Sequence, residues 1–293
     1  MNKRRFYIII SLVVVSVFSI SAYFIANRDN TALPQKLTDK PEPLFSIYGD
    51  SKKPLNHPLA VALAPDGKIY VSDTGNNRVQ VFKSNGKFLF AFGQEGKGEG
   101  QFNAPYGIAV LPDNSLLVSD MQNRRIQQFS ADGKFQKIFL DASKGIKPGN
   151  LLLDKSELYI SDLSNHQVAV MNLKGETLKT YHDGMNFPQG LALLNGKLLV
   201  ADAGNSVLRF VVPSGEGSKS FNGTEDGNKA FNVLRGVAVD NLNRILVVDS
   251  MASEVRFINE DGKNQFNIGS QGVGKEQFQY PAGVAIDKRG KIY

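Results

Sequence analysis

The side chains best placed by type and spacing to do chemistry are five carboxylates, Asp73, Asp120, Asp162, Asp202 and Asp249, separated by 47, 42, 40 and 47 residues. Neighbouring carboxylates can divide acid and base work when their surroundings push their proton affinities apart, and clustered ones hold hard cations. A catalytic carboxylate is normally singular, whereas these recur at a regular interval. Asn76, Asn123, Asn165 and Asn205 follow four of them at one offset, and Ala252 follows the fifth. Asp and Asn so placed open a tight turn, because their oxygens accept backbone N–H bonds and Asn tolerates positive φ. The five aspartates therefore read as structural turn residues, and no catalytic residue is assigned.

Metal chemistry has little to work with. The three histidines, His57, His166 and His182, occupy unlike places relative to the repeated aspartates, and a zinc site needs three or four converging ligands. Calcium held by carbonyls and Asp side chains is conceivable but no ligand set indicates it, so no cofactor or metal is expected. The absence of cysteine excludes disulfide partners and attachment of a lipid through cysteine. The glycine-rich run from Gly93 to Gly100 imitates a phosphate cradle, but such a loop must feed a helix N-terminus. This one feeds Phe102-Asn103-Ala104-Pro105, and related runs precede Phe231 and Phe278, so it reads as a connection between units. Phe102, Phe187, Phe231 and Phe278 each precede the opening of a unit and are expected to pack between neighbours.

The aspartates sit inside one repeated stretch: KIYVSDTGNNRVQVF (68–82), SLLVSDMQNRRIQQF (115–129), ELYISDLSNHQVAVM (157–171), KLLVADAGNSVLRFV (197–211) and RILVVDSMASEVRFI (244–258). The first unit predicts four short strands, Pro58 to Leu63, Ile69 to Val71, Val79 to Phe82 and Phe88 to Phe92, each bounded by Gly, Asn, Asp or Pro. After residue 30 no sustained period of 3.6 occurs, so helices should be few. Four-stranded units at this interval stack as blades of a radial propeller, each sheet burying faces that a lone sheet would leave wet. The fold class is all-β.

The openings Pro105-Tyr106-Gly107-Ile108-Ala109 and Pro281-Ala282-Gly283-Val284-Ala285, with the Asp-x-x-Asn-x-Arg turn at Asp73 to Arg78, resemble the NHL-repeat family of six-bladed β-propellers. Units three and four depart from it, with Gln167 and Val207 where Arg78 and Arg125 stand. The resemblance runs from residue 44 to the end, with repeats beginning near 55, 104, 147, 187, 233 and 280. It implies a rigid disk of four-stranded blades with ligand sites on one face or at the central channel, and no particular reaction. The sixth unit opens at Pro281 and reaches Lys291-Ile292-Tyr293, so its blade is expected to be incomplete at the C-terminus. Leu44 to Gly49, LFSIYG, copies the outer-strand pattern FLFAFG of 88–93, and is expected to close the ring as the last strand of that blade.

The innermost strands should ring the channel, placing Leu59, Tyr106, Gly149, Gln189, Arg235 and Ala282 around it. Of these, Tyr106, Gln189 and Arg235 offer a ring face, an amide and a cation to a small anionic or sugar-like ligand at the channel mouth.

Residues 1–28 belong to another regime. Lys3, Arg4 and Arg5 precede Phe6 to Ala26, which carries no charge and as a helix would span roughly 32 Å. This predicts a signal anchor or transmembrane helix with the rest of the chain outside the cytoplasm, in the periplasm or at the cell surface. Residues 29–43, with Pro34, Pro41 and Pro43, form a polar linker, and residues 44–293 the propeller. The net charge of +6 falls to +2 once Lys3, Arg4, Arg5 and Arg28 are set aside, so the disk lacks the basic face that nucleic acid requires. The sequence thus points to a membrane-tethered, extracytoplasmic binding or scaffold module for a protein, peptide or glycan. The alternative is a metal-dependent lyase or lactonase with its site at the channel.

Overall fold

A computed structural model describes residues 9–10, 40–212, 218–225 and 227–293. Five four-stranded antiparallel sheets follow one another along the chain. Blade one comprises Pro58–Leu63, Ile69–Asp73, Arg78–Phe82 and Phe88–Phe92. Blade two has Pro105–Val110, Leu116–Asp120, Arg125–Phe129 and Phe135–Leu140. Blades three, four and five open with Pro148–Asp154, Pro188–Leu194 and Leu234–Val239. Every innermost strand is irregular in register just after its first residue, as between Pro58 and Val61. In the first three blades a serine on the second strand satisfies the backbone there: Ser72, Ser119 and Ser161 accept from the N–H groups of Ala60, Gly107 and Asn150.

Alternation along the strands gives each sheet two apolar faces, and neighbouring sheets bury them together. Tyr70, Val79 and Val81 of blade one meet Ile108, Leu116 and Val118 of blade two around Phe102. Equivalent cores join blade two to three, three to four and four to five. Two further cores carry the ring round to its start. Val248, Phe257 and Phe278 pack with Ile292, Val284 and Ile286, and Tyr293 and Ala285 pack with Leu44, Ile47, Ile69 and Phe82. Each fully buried Leu, Val or Phe contributes about 1.5–3 kcal/mol of apolar burial, so a missing interface would be felt throughout the disk.

The sixth module is thinner than expected. In place of a sheet it has one antiparallel bridge between Ile286 and Ile292, supported by reciprocal bonds between Ala285 and Tyr293. Its position in the ring is nevertheless tight: a Cβ on Gly283 would stand 2.7 Å from the carbonyl oxygen of Leu59 in blade one. Leu44 to Gly49, expected to close the ring as the last strand of the sixth blade, packs against Tyr293 and Ala285 of that module. Leu44–Phe45 pairs in parallel with Ile9–Ile10, and Lys291 Nζ of the sixth module lies 4.6 Å from the centre of the Phe45 ring. The Phe45 ring lies against the turn glycine Gly86 of blade one, as Phe92 lies against Gly133 and Phe221 against Gly262. Phe45 thus occupies an outer-strand position.

The expected membrane helix falls outside the described residues except at Ile9–Ile10, which are extended, not helical. Their pairing satisfies backbone groups of Leu44–Phe45 that would otherwise form an open edge. Among the described residues no helix is long and apolar enough to cross a membrane. The linker 29–43 is described only from Lys40.

Candidate functional site

Each repeated aspartate ends a second strand, and its carboxylate is buried within its own blade. Asp73 accepts from Asn76, Arg78 Nε at 2.7 Å and Gln80, and from the backbone N–H of Asn56 at 2.6 Å. Asp120 repeats the pattern with Asn123, Arg125, Gln127 and the N–H of Asn103. Asp202 takes Asn205, Arg209 and the N–H of Asn186. Asp162 has Asn165, Gln167 and the N–H of Lys147. Asp249 keeps the N–H groups of Asn232, Val233 and Ala252, with Arg256 3.8 Å away. Burial pushes the Asp120 carboxyl above its ordinary value against the pull of these donors. At Asp162 burial also works upward, but bonds from Asn165, Lys147 and Gln167 prevail and hold it below the usual range.

These bonds reach past the turn. The backbone N–H groups of Asn56, Asn103, Asn186 and Asn232 belong to the segment entering the innermost strand, so the aspartate pins that entry loop to the turn between strands two and three. All four amide side chains are exposed. The residue that follows is left-handed in three of these blades and in the sixth module, with φ of 47° at His57, 58° at Ala104, 58° at Phe187 and 52° at Tyr280. Neighbouring blades are stitched at the same level. Asn77 accepts from the N–H of Ala104, and His166 Nδ1 accepts from that of Phe187 at 3.0 Å.

The result is one loop face carrying exposed aromatic and apolar side chains. Phe187 is 41% exposed, Tyr280 39% and Met251, in the turn after Asp249, 58%. Phe187 departs from its expected role between blades: Met185, 6% exposed, fills the interior site that Phe102, Phe231 and Phe278 fill elsewhere. Counting back from Pro105 and Pro188 shows why, since Phe102 lies three residues before its proline and Phe187 only one.

Tyr106, Gln189 and Arg235 come together at the centre of this face. The Tyr106 hydroxyl donates to Gln189 Oε1. Burial pushes the Tyr106 phenol up, and the charge of Arg235 opposes this. Tyr106 and Gln189 are buried, so the three side chains close on one another across blades two, four and five. Leu59 and Gly149 are the second residues of the innermost strands of blades one and three, and Ala282 stands at the matching place in the sixth module.

The glycine-rich connection is held by its carbonyls. Arg125 donates to the oxygens of Lys97, Gly98 and Gln101, and Asn123 to that of Gly96. Gln101 Oε1 takes the N–H of Gly98, so the loop is an arginine-clamped strap between blades. An open cleft of about 320 Å³ lies beside it, lined by Lys53, Asn76, Asn77, Arg78, Gln94 and Glu95. Sequence reasoning passed over the exposed amides at 56, 103, 186 and 232. Their signal is an Asn two residues before the opening residue Pro58, Pro105, Pro188 or Leu234.

With this geometry in view, a family described as "6-bladed beta-propeller" matches residues 59–211. A chain of the nidogen/laminin complex superposes over 90% of this chain and 95% of its own length, with a TM-score of 0.66 and 16% identity. Streptogramin B lyase superposes over 80% of this chain and 74% of its own length, with a TM-score of 0.58 and 17% identity. Among curated sequences, the protein brain tumor of Drosophila melanogaster is 37% identical over 57 residues, 20% of this chain. The chain spans about 6% of that relative's length. At these identities the structural likenesses establish the fold alone.

Proposed function

Because this chain belongs to the 6-bladed beta-propeller family, we propose that it is a membrane-tethered binding or scaffold module whose loop face engages a partner outside the cytoplasm. The observation that carries this reading is the exposure of Phe187, Tyr280 and Met251 on a face whose backbone is pinned by buried aspartates. Large side chains held open at fixed positions lose little freedom on binding, which favours recognition. The tether rests on the basic cluster Lys3-Arg4-Arg5 before the uncharged run Phe6 to Ala26, with 29–43 as spacer and 44–293 as the disk. Tyr106, Gln189 and Arg235 form the floor of the face in this reading. The partner classes are protein, peptide or glycan, and the near-neutral disk disfavours nucleic acid.

The lyase or lactonase alternative draws support from the fold shared with streptogramin B lyase. Stoichiometric metal in the purified chain would favour it. For the binding reading, a photo-crosslinking residue placed at Met251 in the intact cell envelope should capture partner. The same residue at Leu178, exposed on the outer strand of blade three, should not. Capture at Leu178 alone would move the working surface to the rim.

A further inference from the structure

Resting on that reading, we infer that the mouth of the channel holds one carboxylate group of the ligand, through the guanidinium of Arg235 and the side-chain N–H groups of Gln189. The two residues adjoin across the seam between blades four and five: a Cβ on Gly190, which follows Gln189, would stand 2.7 Å from the carbonyl oxygen of Arg235. On the other flank a Cβ on Gly236, which follows Arg235, would stand 2.5 Å from the carbonyl oxygen of Ala282. Arg235 therefore lies between an amide and a methyl group on the ring of innermost strands.

Arg235 is unlike the other arginines held within the disk. Arg78, Arg125, Arg209, Arg244 and Arg256 each pair with a carboxylate of their own blade. Arg124 donates to the carbonyl of Gly145 and to Ser164. Arg235 is half-buried and has neither a carboxylate nor a carbonyl partner among the described residues; its charge acts instead on the Tyr106 phenol. A partly desolvated cation without a counterion is unfavourable, and an incoming anion relieves it. Gln189 supplies the second half of the site. Its Oε1 is occupied by the Tyr106 hydroxyl, which directs Nε2 away from that phenol. Nε2 has no partner among the described residues and is not sealed from solvent.

The charges around the mouth favour an anion. Within the innermost strands of the five blades the charged residues are Arg235 and Asp154. Asp154 ends its strand, roughly 17 Å beyond Gly149 at ~3.3 Å per residue. Asp202 and Asp249, the buried aspartates of blades four and five, are matched by Arg209 and Arg256. The exposed connections carry both signs, as in Lys97 with Glu99 and Lys229 with Glu225, while Lys147, half-buried in the entry to blade three, adds positive charge. A planar carboxylate matches the paired donors of a guanidinium and its one charge. A phosphate dianion calls for a second cation beside the first, and the opening positions Leu59, Tyr106, Gly149, Gln189 and Ala282 supply none.

Ligand-detected NMR titration of the full chain in detergent micelles tests this, with N-acetylglycine, N-acetylglycinamide, glucuronate and inorganic phosphate as probes at equal ionic strength. N-acetylglycine or glucuronate should bind, and the tighter of the two tells a peptide end from an acidic sugar as the source of the carboxylate. Arg235→Met keeps the apolar stem and deletes the charge, so it should weaken that binding by about tenfold. It should also unfold no earlier than the native chain, because it removes a partly buried charge that lacks a counterion. Silence with both carboxylates, equal binding of the uncharged amide, tighter binding of phosphate, or native affinity in Arg235→Met overturns the proposal. Earlier unfolding of Arg235→Met overturns it too, by making Arg235 a support of the fold. A second arm separates it from the broader reading. Crosslinking at Met251 that neither Arg235→Met nor excess N-acetylglycine reduces removes the carboxylate and leaves the loop face as the working surface. Binding of N-acetylglycine that depends on Arg235, with no crosslinking at Met251, supports the site and removes the broader reading alone.

Discussion

Tyr106 donates its hydroxyl hydrogen to Gln189, so a side chain of blade two is tied to one of blade four across the middle of the disk. Both are buried, and the positive charge of Arg235 in blade five acts on the same phenol. Tyr106→Phe keeps the ring and deletes the oxygen, leaving a buried amide oxygen without its donor. The expected cost is about 1–3 kcal/mol in urea unfolding. An unchanged midpoint would mean that the bridge is not formed in solution.

The pair Asp120 and Arg125 lies at 2.7 Å with the carboxylate buried. Asp120→Ala strands the guanidinium and frees the N–H of Asn103, so a loss of about 3–5 kcal/mol is expected. Amide exchange should rise at the entry loop around Asn103 and along the glycine-rich strap that Arg125 clamps. A change confined to the turn at Asn123 would contradict the link between turn and face.

Phe102 and Phe187 look alike in the sequence but not in the disk. Phe102→Ala should cost about 3–5 kcal/mol and Met185→Ala about 2–5 kcal/mol, because both leave cavities between blades. Phe187→Ala should shift stability by no more than about 0.5 kcal/mol. Thermal unfolding of the three variants checks the order, and a destabilising Phe187→Ala would restore it to the interior.

The architecture was legible because the repeat signals add: each blade restates the same alternation and turn chemistry, and the strands of blade one, Pro58–Leu63, Ile69–Asp73, Arg78–Phe82 and Phe88–Phe92, agree within two residues with the periods read from sequence. The site was less legible. That Tyr106, Gln189 and Arg235 surround one axis follows from repeat position. That Tyr106 bonds to Gln189 depends on side-chain reach across the channel, which spacing does not encode. The exposed amides were hidden because the aspartate holds their backbone rather than their side chains. Met185 was hidden because the repeat tolerates a methionine where other blades use phenylalanine, and a flexible thioether fills the same gap. The outer closure was legible as a packing pattern because 44–49 repeats 88–93, whereas the parallel pairing of Leu44–Phe45 with Ile9–Ile10 was not.

Tyr70 is a pH probe of the interface between blades one and two. Its hydroxyl donates to the carbonyl of Ala131 in blade two at 3.1 Å, and burial, with the charges of Asp66 and Asp132, pushes its pKa up to about 12. A folded value above the unfolded value of about 10 means that its stabilisation is complete below pH ~10 and is lost as pH rises through ~12. Ultraviolet titration should show Tyr70 among the tyrosines that ionise late, with Tyr106, Tyr159 and Tyr293, and Tyr70→Phe should remove one equivalent from that late step. Ionisation of Tyr70 along with exposed tyrosines would contradict the contact.

Ring closure is tested at Gly283. Gly283→Val sets a branched side chain against the backbone of Leu59, where even a Cβ would be 2.7 Å from the carbonyl oxygen. Overpacking of about 1–3 kcal/mol or more is expected. A neutral outcome in denaturant unfolding would mean that the sixth module does not meet blade one.

The central claim is that the loop face, and not the rim, is the working surface. Its most direct measurement is quantitative capture of ligand from the cell envelope by the full chain, by Phe187→Ala with Tyr280→Ala, and by Leu178→Ala at the rim. The account predicts capture by the native chain and by Leu178→Ala, with loss in the double variant at unchanged thermal stability. Full capture by the double variant, or loss in Leu178→Ala alone, would contradict it.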